Sequence, residues 1–201
     1  NVSEKFNSIV VSLEKFKEVD QNETLKGFTT ICNDEIIYID PRNKELGAKI
    51  TSRIEKTENL LKKLKLKKVN KEKYYEKSFN LGVPQVNLSR FKDKIFGIEN
   101  NLDELGGIDF KKGCYIGQEN TSRIKLRNKL RRRILPVKKI SGEIYENDVI
   151  KYKDFEIGKI MIAKPYTFAL VKVIDPNLNE FINYDLNCGN AKIKILKPDW
   201  I

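Results

Sequence analysis

The sequence predicts an α+β protein, a mixed N-terminal domain followed by a small antiparallel β-barrel, and three observations carry that expectation. Up to about residue 130, helical periodicity alternates with isolated β-rich stretches. Beyond it come only short β-rich segments separated by regular turn signals, the texture of a small barrel. A 40% share of hydrophobic residues supplies enough apolar side chain for globular cores. The expected domains are therefore residues 1–129 and 130–201.

In chain order, residues 8–13, 27–32 and 35–39 read as strands from their β-branched and aromatic content. Asn33-Asp34 is the expected turn of a hairpin between the last two. Asp40-Pro41-Arg42 leaves the third strand, because proline cannot continue the ladder. Arg42 stands there either as a pocket residue or as a surface partner of Asp40 or Glu45. Ile54, Leu60, Leu61, Leu64 and Leu66 recur at loosely helical spacing and predict a helix over 54–66. A second helix starts after Asn70 as N-cap and stops at Gly82, with Tyr74, Tyr75, Phe79 and Leu81 on its apolar side. Aromatics at this spacing are core residues first and stacking platforms second. Residues 91–105 are loop-rich, and Gly106-Gly107 leads into the densest group of chemically distinct residues in the chain.

That group is Lys112-Gly113-Cys114-Tyr115-Ile116-Gly117-Gln118-Glu119, extended by Ser122 and Arg123. Gly113 and Gly117 let the backbone turn sharply around a single thiol. Residues 118–126 have helical character, which sets Cys114 just ahead of a helix N-terminus with Lys111, Lys112 and Arg123 close in sequence. Free amides and cations both favour thiolate, so Cys114 is a candidate reactive or metal-ligating residue; the competing reading is a small buried hydrophobe in a tight turn. Gln118 and Glu119 either bind a ligand or satisfy the first-turn amides, and Tyr115 packs with its hydroxyl at the pocket. Lys125, Arg127, Lys129, Arg131, Arg132 and Arg133 alternate with Leu126, Leu130 and Ile134, as a solvated face opposite a core face would. In the barrel, strands are expected over 134–137, 149–152, 156–162, 168–173 and 191–196, with Cys188 in a loop and Trp200 as the closing plug.

Composition narrows the chemistry. With no histidine, these 201 residues cannot hold a Ser-His-Asp triad, a Cys-His dyad or a histidine-containing zinc site. Cys32, Cys114 and Cys188 are far apart without a C-x-x-C, so a self-contained metal cluster is not expected and a reducing compartment is. No stretch approaches the ~18 apolar residues of a membrane span, which predicts a soluble protein with no membrane partner. The net charge of +11 would attract nucleic acid, but the lysines are dispersed over helices and charge alone gives only salt-sensitive, non-specific attraction.

Lys112-Gly113-Cys114-Tyr115, any residue, Gly117-Gln118-Glu119, then Arg123 after three more resembles the signature of the YgfZ/IBA57 branch of the aminomethyltransferase-like, glycine cleavage T-protein-like, folate-binding superfamily. Asp40-Pro41-Arg42 with Leu46-Gly47, Leu81-Gly82-Val83-Pro84, Glu99 with Asn101-Leu102-Asp103, Phe110 and Pro198-Asp199-Trp200 agree with it, so the resemblance runs through most of the chain. It implies a T-protein-like folate-binding domain followed by the family's C-terminal barrel. Against that pattern the opening strands are missing and the chain starts at Asn1, so a fragment is expected.

The resemblance also implies a function: a folate-binding accessory factor, not itself an enzyme, for iron-sulfur cluster assembly or repair, with an indirect effect on tRNA modification. Cys114 would be its working thiol and a possible ligand of a cluster shared transiently with a partner. Tetrahydrofolate would be the cofactor, with Arg42, Glu99, Lys112, Tyr115, Gln118, Glu119 and Arg123 as binding residues. Carrier and client proteins would be the partners, in bacterial cytoplasm or, in a eukaryote, the mitochondrial matrix. Ser78 replaces an arginine usual ahead of the Gly-Val-Pro turn, and Asn80 replaces the pterin-binding glutamate of true aminomethyltransferases. A neutral amide binds a pterin edge less strongly than a carboxylate, which weakens the folate expectation and weakens methylamine transfer more. The alternative is a tetrahydrofolate-dependent aminomethyltransferase. For the basic run the resemblance adds a cradle for the folate polyglutamate tail, ranked with an acidic partner and ahead of direct tRNA contact, since no aromatics interleave the cations.

Overall fold

The computed structural model describes residues 2–19, 25–32, 35–114, 116–127, 130–182 and 184–201. The chain divides into two compact units, Asn1–Lys77 and Ser78–Ile201. The barrel expected from residue 130 has its first strand at Arg132.

The first unit is a four-stranded antiparallel sheet of β1 (Phe6–Val11), β2 (Thr29–Cys32), β3 (Glu35–Ile39) and β4 (Ala48–Arg53), in the order β1-β4-β3-β2. Alternation along β3 and β4 turns Ile37, Ile39, Ala48 and Ile50 to one face, where they pack with Val11, Phe16 and Leu60. Phe16 belongs to α1 (Leu13–Val19) and Leu60 to α2 (Ile54–Lys63). The strand expected over 8–13 therefore runs instead from Phe6 to Val11, and Leu13 already opens a helix. β4 was not legible because Lys49, Thr51 and Arg53 dilute its apolar content, and pairing on both sides establishes it. Cys32 pairs with Glu35; the Asn33-Asp34 turn itself lies outside the described residues. Asn70 caps as expected, its Oδ1 accepting from the Glu72 amide at 2.9 Å, and α3 (Glu72–Asn80) follows.

The second unit holds the 81–110 turns, α4 (Gln118–Leu126) and a closed antiparallel barrel. Its strands are β5 (Arg132–Ser141), β6 (Val149–Tyr152), β7 (Phe155–Ile162), β8 (Phe168–Lys172), β9 (Leu186–Cys188) and β10 (Ala191–Ile195). They close in the order β10-β5-β8-β7-β6-β9 around Leu135, Ile150, Ile157, Ile160, Val171, Phe181, Leu186 and Ile193. Gly158 is required where β7 meets β8, since a Cβ there would lie 2.5 Å from the Leu170 carbonyl oxygen. The expected strands are all present, with β5 longer than predicted.

Two expectations are corrected. Cys188 lies in β9 and not in a loop; three residues are too few to produce a sequence pattern, and partners on both sides make the strand. Trp200 does not plug the barrel: its Nε1 donates to the Leu81 carbonyl at 2.8 Å, and its ring lies against Gly82, which adopts φ +71°. The C-terminus thus straps the 81–82 turn.

Candidate functional site

The thiol segment is built almost without a core. Cys114 is exposed and free, in irregular chain ahead of α4, and α4 buries none of its own residues. Gly117 caps that helix in the left-handed region at φ +85°, while Gly113 makes no such excursion; a Cβ at either would meet nothing within 4 Å. One glycine, not two, therefore makes the turn. Ile116, next in the loop, is fully exposed and Leu126 is 86% exposed.

Side chains spaced along one face of α4 converge on the thiol. Cys114, Gln118, Glu119, Ser122, Arg123, Leu126 and Arg127 line one shallow groove of about 610 Å³. Arg123 donates to Glu119 Oε1 at 2.5 Å, a helical i, i+4 pair, so the Glu119 carboxylate faces a cation and not the first-turn amides. Lys112 is exposed two residues ahead of the thiol, and Tyr115 lies outside the described residues. Of the sequence-predicted residues the structure thus gathers Cys114, Gln118, Glu119 and Arg123.

Glu99 sits in a different place. It is 5% exposed, and both carboxylate oxygens are engaged: Oε1 accepts from Arg132 Nε at 2.9 Å and Oε2 from the Phe96 amide at 3.0 Å. Around it the 99–104 loop is tied to the start of β5. The Ile134 amide donates to the Glu99 carbonyl, and buried Asn101 donates to the Ile134 carbonyl at 2.7 Å. Arg133 bonds Asn101 Oδ1 at 2.9 Å and pairs with Glu104 at 2.6 Å, and Lys125 of α4 pairs with Asp103. The basic run is therefore partly a set of internal ties to an acidic loop, which sequence spacing could not reveal because the partners are 22 to 33 residues apart.

A groove of about 810 Å³ opens beside Glu99, lined on its apolar side by Phe96, Ile124, Leu130 and Ile174. Arg131, Arg132, Lys172 and Asp175 supply its charge.

Arg42 belongs to the first unit. Its Nε and Nη2 bind the two oxygens of Asp40 at 3.0 and 2.7 Å, and Nη2 also reaches the Tyr74 hydroxyl at 3.3 Å. Asp40 is fully buried and also faces Lys49 at 3.1 Å. Burial alone would raise its pKa, but the hydrogen bonds from Arg42, its charge and Lys49 outweigh burial and hold the carboxyl below its ordinary value. Ser78, fully buried, donates to the Val83 carbonyl at 2.6 Å, a turn-closing role, and Asn80 is exposed. No cluster of three potential metal-ligating acids or cysteines occurs among the described residues, and no described helix is long and apolar enough to cross a membrane.

No family model matches the chain. It is 30% identical over 165 residues to the iron-sulfur cluster assembly factor IBA57 homolog, mitochondrial, of Dictyostelium discoideum, an alignment covering 80% of this chain and 36% of that protein. The IBA57 homologue of Neurospora crassa is 44% identical over 63 residues, 31% of this chain and 14% of that one. The chain thus spans about a third of the Dictyostelium relative's length. Among solved structures, the glycine cleavage system aminomethyltransferase T of Bartonella henselae superposes with a TM-score of 0.61 at 14% identity, covering 90% of this chain and 54% of the other. Relatives and fold agree with the resemblance carried by the Cys114 motif.

Proposed function

We propose that this chain, a homologue of IBA57 proteins with an aminomethyltransferase-T-like fold, acts in iron-sulfur cluster assembly or repair with Cys114 as its working thiol. The observation that carries the reading is the exposed, free Cys114 sharing one groove with Gln118, Glu119, Ser122 and Arg123. A thiol there gives up its proton to solvent, and the thiolate occupies an open iron position of a cluster that a carrier protein still holds through its own ligands. The cluster is cargo, and an open groove suits transient sharing better than a closed pocket would. Arg123 stands beside the thiol to offset the negative charge of a thiolate-ligated cluster, with Glu119 fixing its orientation.

A reduced folate is the second ligand in this reading, with Arg42, Glu99, Lys112, Tyr115, Gln118, Glu119 and Arg123 as the residues assigned to it. Support comes from the likeness to a T-protein fold. Arg42 is already engaged by Asp40 and Glu99 by Arg132. The functional boundary is placed at residues 129 and 130, ahead of β5. The mitochondrial matrix is the proposed location, in line with the relatives' names. Carrier and client proteins are the partners, and the effect on tRNA modification is indirect. The fold likeness also favours a second reading, a tetrahydrofolate-dependent aminomethyltransferase.

The test uses the full-length gene in cells lacking their own copy, comparing wild type with Cys114→Ser for iron-sulfur enzyme activity under oxidative stress. Wild type restores activity and the mutant does not, although its stability stays within ~0.5 kcal/mol of wild type, as for surface changes outside a core. Equal rescue by both would remove Cys114 from the mechanism. Failure of both, with turnover of a methylamine donor and tetrahydrofolate by the purified protein, would favour the transferase.

A further inference from the structure

We propose that the groove beside Glu99 is a binding site for a small amphiphilic anion, and that its occupation steadies α4, the helix that carries the thiol groove. Its volume of about 810 Å³ lies within the range of small-molecule sites, ~300–1,000 Å³. Phe96 and Ile174 are each 50% exposed on its wall, joined by Ile124 and Leu130, so an apolar body gains cover there.

The charge left open in the groove is positive. Glu99 is committed to the Arg132 guanidinium and to the Phe96 amide. Arg131 and Lys172 have no side-chain partner among the described residues, and Asp175 is the one other acid on the lining. The two cations lie at the same end of the β5–β8 ladder, where Arg132 pairs with Lys172 and the Val173 amide donates to the Arg131 carbonyl at 2.9 Å, and both line the groove. Two cations that outnumber the single open acid, Asp175, suit a phosphate or carboxylate, which a guanidinium can bind bidentately. Both Glu99 oxygens already accept a hydrogen bond from within the fold, so its negative charge is largely offset before any ligand enters.

The link to the thiol runs through α4. The helix has nine residues, below the ~12–15 at which isolated helices become even marginal in water, and buries none of them. Ile124 lines this groove while Gln118, Glu119, Ser122 and Arg123 line the thiol groove. A ligand that covers Ile124 therefore adds packing to a helix that otherwise has little. Of the residues assigned to folate only Glu99 lines this groove, and the site does not require Cys114 to be the working thiol.

The experiment titrates the full chain with 2-naphthyl phosphate and 2-naphthoate, with 2-naphthol and inorganic phosphate as controls, by calorimetry and amide hydrogen exchange. One or both naphthyl anions bind saturably, at least tenfold tighter than either control, and slow exchange across residues 118–126. The preferred anion tells phosphate from carboxylate. Arg131→Gln with Lys172→Gln weakens binding tenfold or more, Phe96→Ser weakens it independently, and Cys114→Ser binds as wild type. Unchanged affinity in the double variant, with melting confirming that it is folded, would overturn the site. Binding without protection of 118–126 would overturn the coupling to α4, and displacement of the probe by 5-formyltetrahydrofolate would overturn its standing as a separate site.

Discussion

Two cysteines in one unit mark the contrast between the barrel and the thiol segment. Cys188 is fully buried in β9 among Ile150, Ala191 and the rest of the barrel core, and burial, with the nearby Asp148 charge, pushes its thiol up to about 11. Cys114 stands in the open ahead of a helix that buries nothing. The same side chain is packing material in one place and an accessible nucleophile or ligand in the other, and surroundings alone make the difference. A closed barrel has no edges to pair with strangers and holds its shape without help, so it can support a segment whose own packing is slight.

That contrast is sharpened first where the largest effect is expected. Phe181→Ala removes a fully buried ring that packs at 5.8 Å from Tyr152, and should cost about 3–5 kcal/mol in denaturant unfolding. Cys114→Ser in the same assay should cost next to nothing. Comparable losses would mean that the thiol segment is part of the core after all.

Next comes the tie between the two regions. Glu99→Ala leaves the Phe96 amide and the Arg132 guanidinium without their acceptor, for an expected loss of about 1–3 kcal/mol. Because the loop is also tied to β5 through Asn101 and Arg133, local opening should rise around residues 96–104 before the barrel strands lose protection in hydrogen exchange. Uniform loss of protection would show that loop and barrel unfold as one.

The smallest effect is alkaline. A folded thiol whose pKa lies above the ordinary 9.0 keeps its proton after the unfolded chain has lost it. The contribution of Cys188 is thus complete below about 9 and is lost as pH rises toward about 11. Compared with Cys188→Ala, the wild type should lose stability more steeply between those values. Identical slopes for wild type and Cys188→Ala would contradict the burial of that thiol.

How much was legible follows from the range of the interactions involved. The barrel strands over 149–152 and 191–195 and the helix over 118–126 could be read because their patterns are local: β-rich runs between turns, and a glycine start. β4 and β9 could not, since they exist through partners distant in sequence. The same division holds in the candidate site. Cys114, Gln118, Glu119 and Arg123 lie within ten residues, and one helical face brings them together, so their spacing already pointed to a shared site. Glu99 was singled out as a pocket carboxylate, but its engagement by Arg132, 33 residues away, has no local signature. Nor has the groove that joins Arg131 of the basic run to Lys172 and Phe96, whose partners lie far apart in sequence.

By itself, then, the sequence determined the fold class and the thiol with its neighbours, because periodicity and short motifs act over one or two turns of chain. Only the tertiary structure decided which charges neutralise one another, which cysteine is buried, and that Trp200 straps a turn instead of filling the barrel. Those outcomes depend on which distant segments are brought within hydrogen-bond distance and out of water, and that is settled when the chain closes on itself.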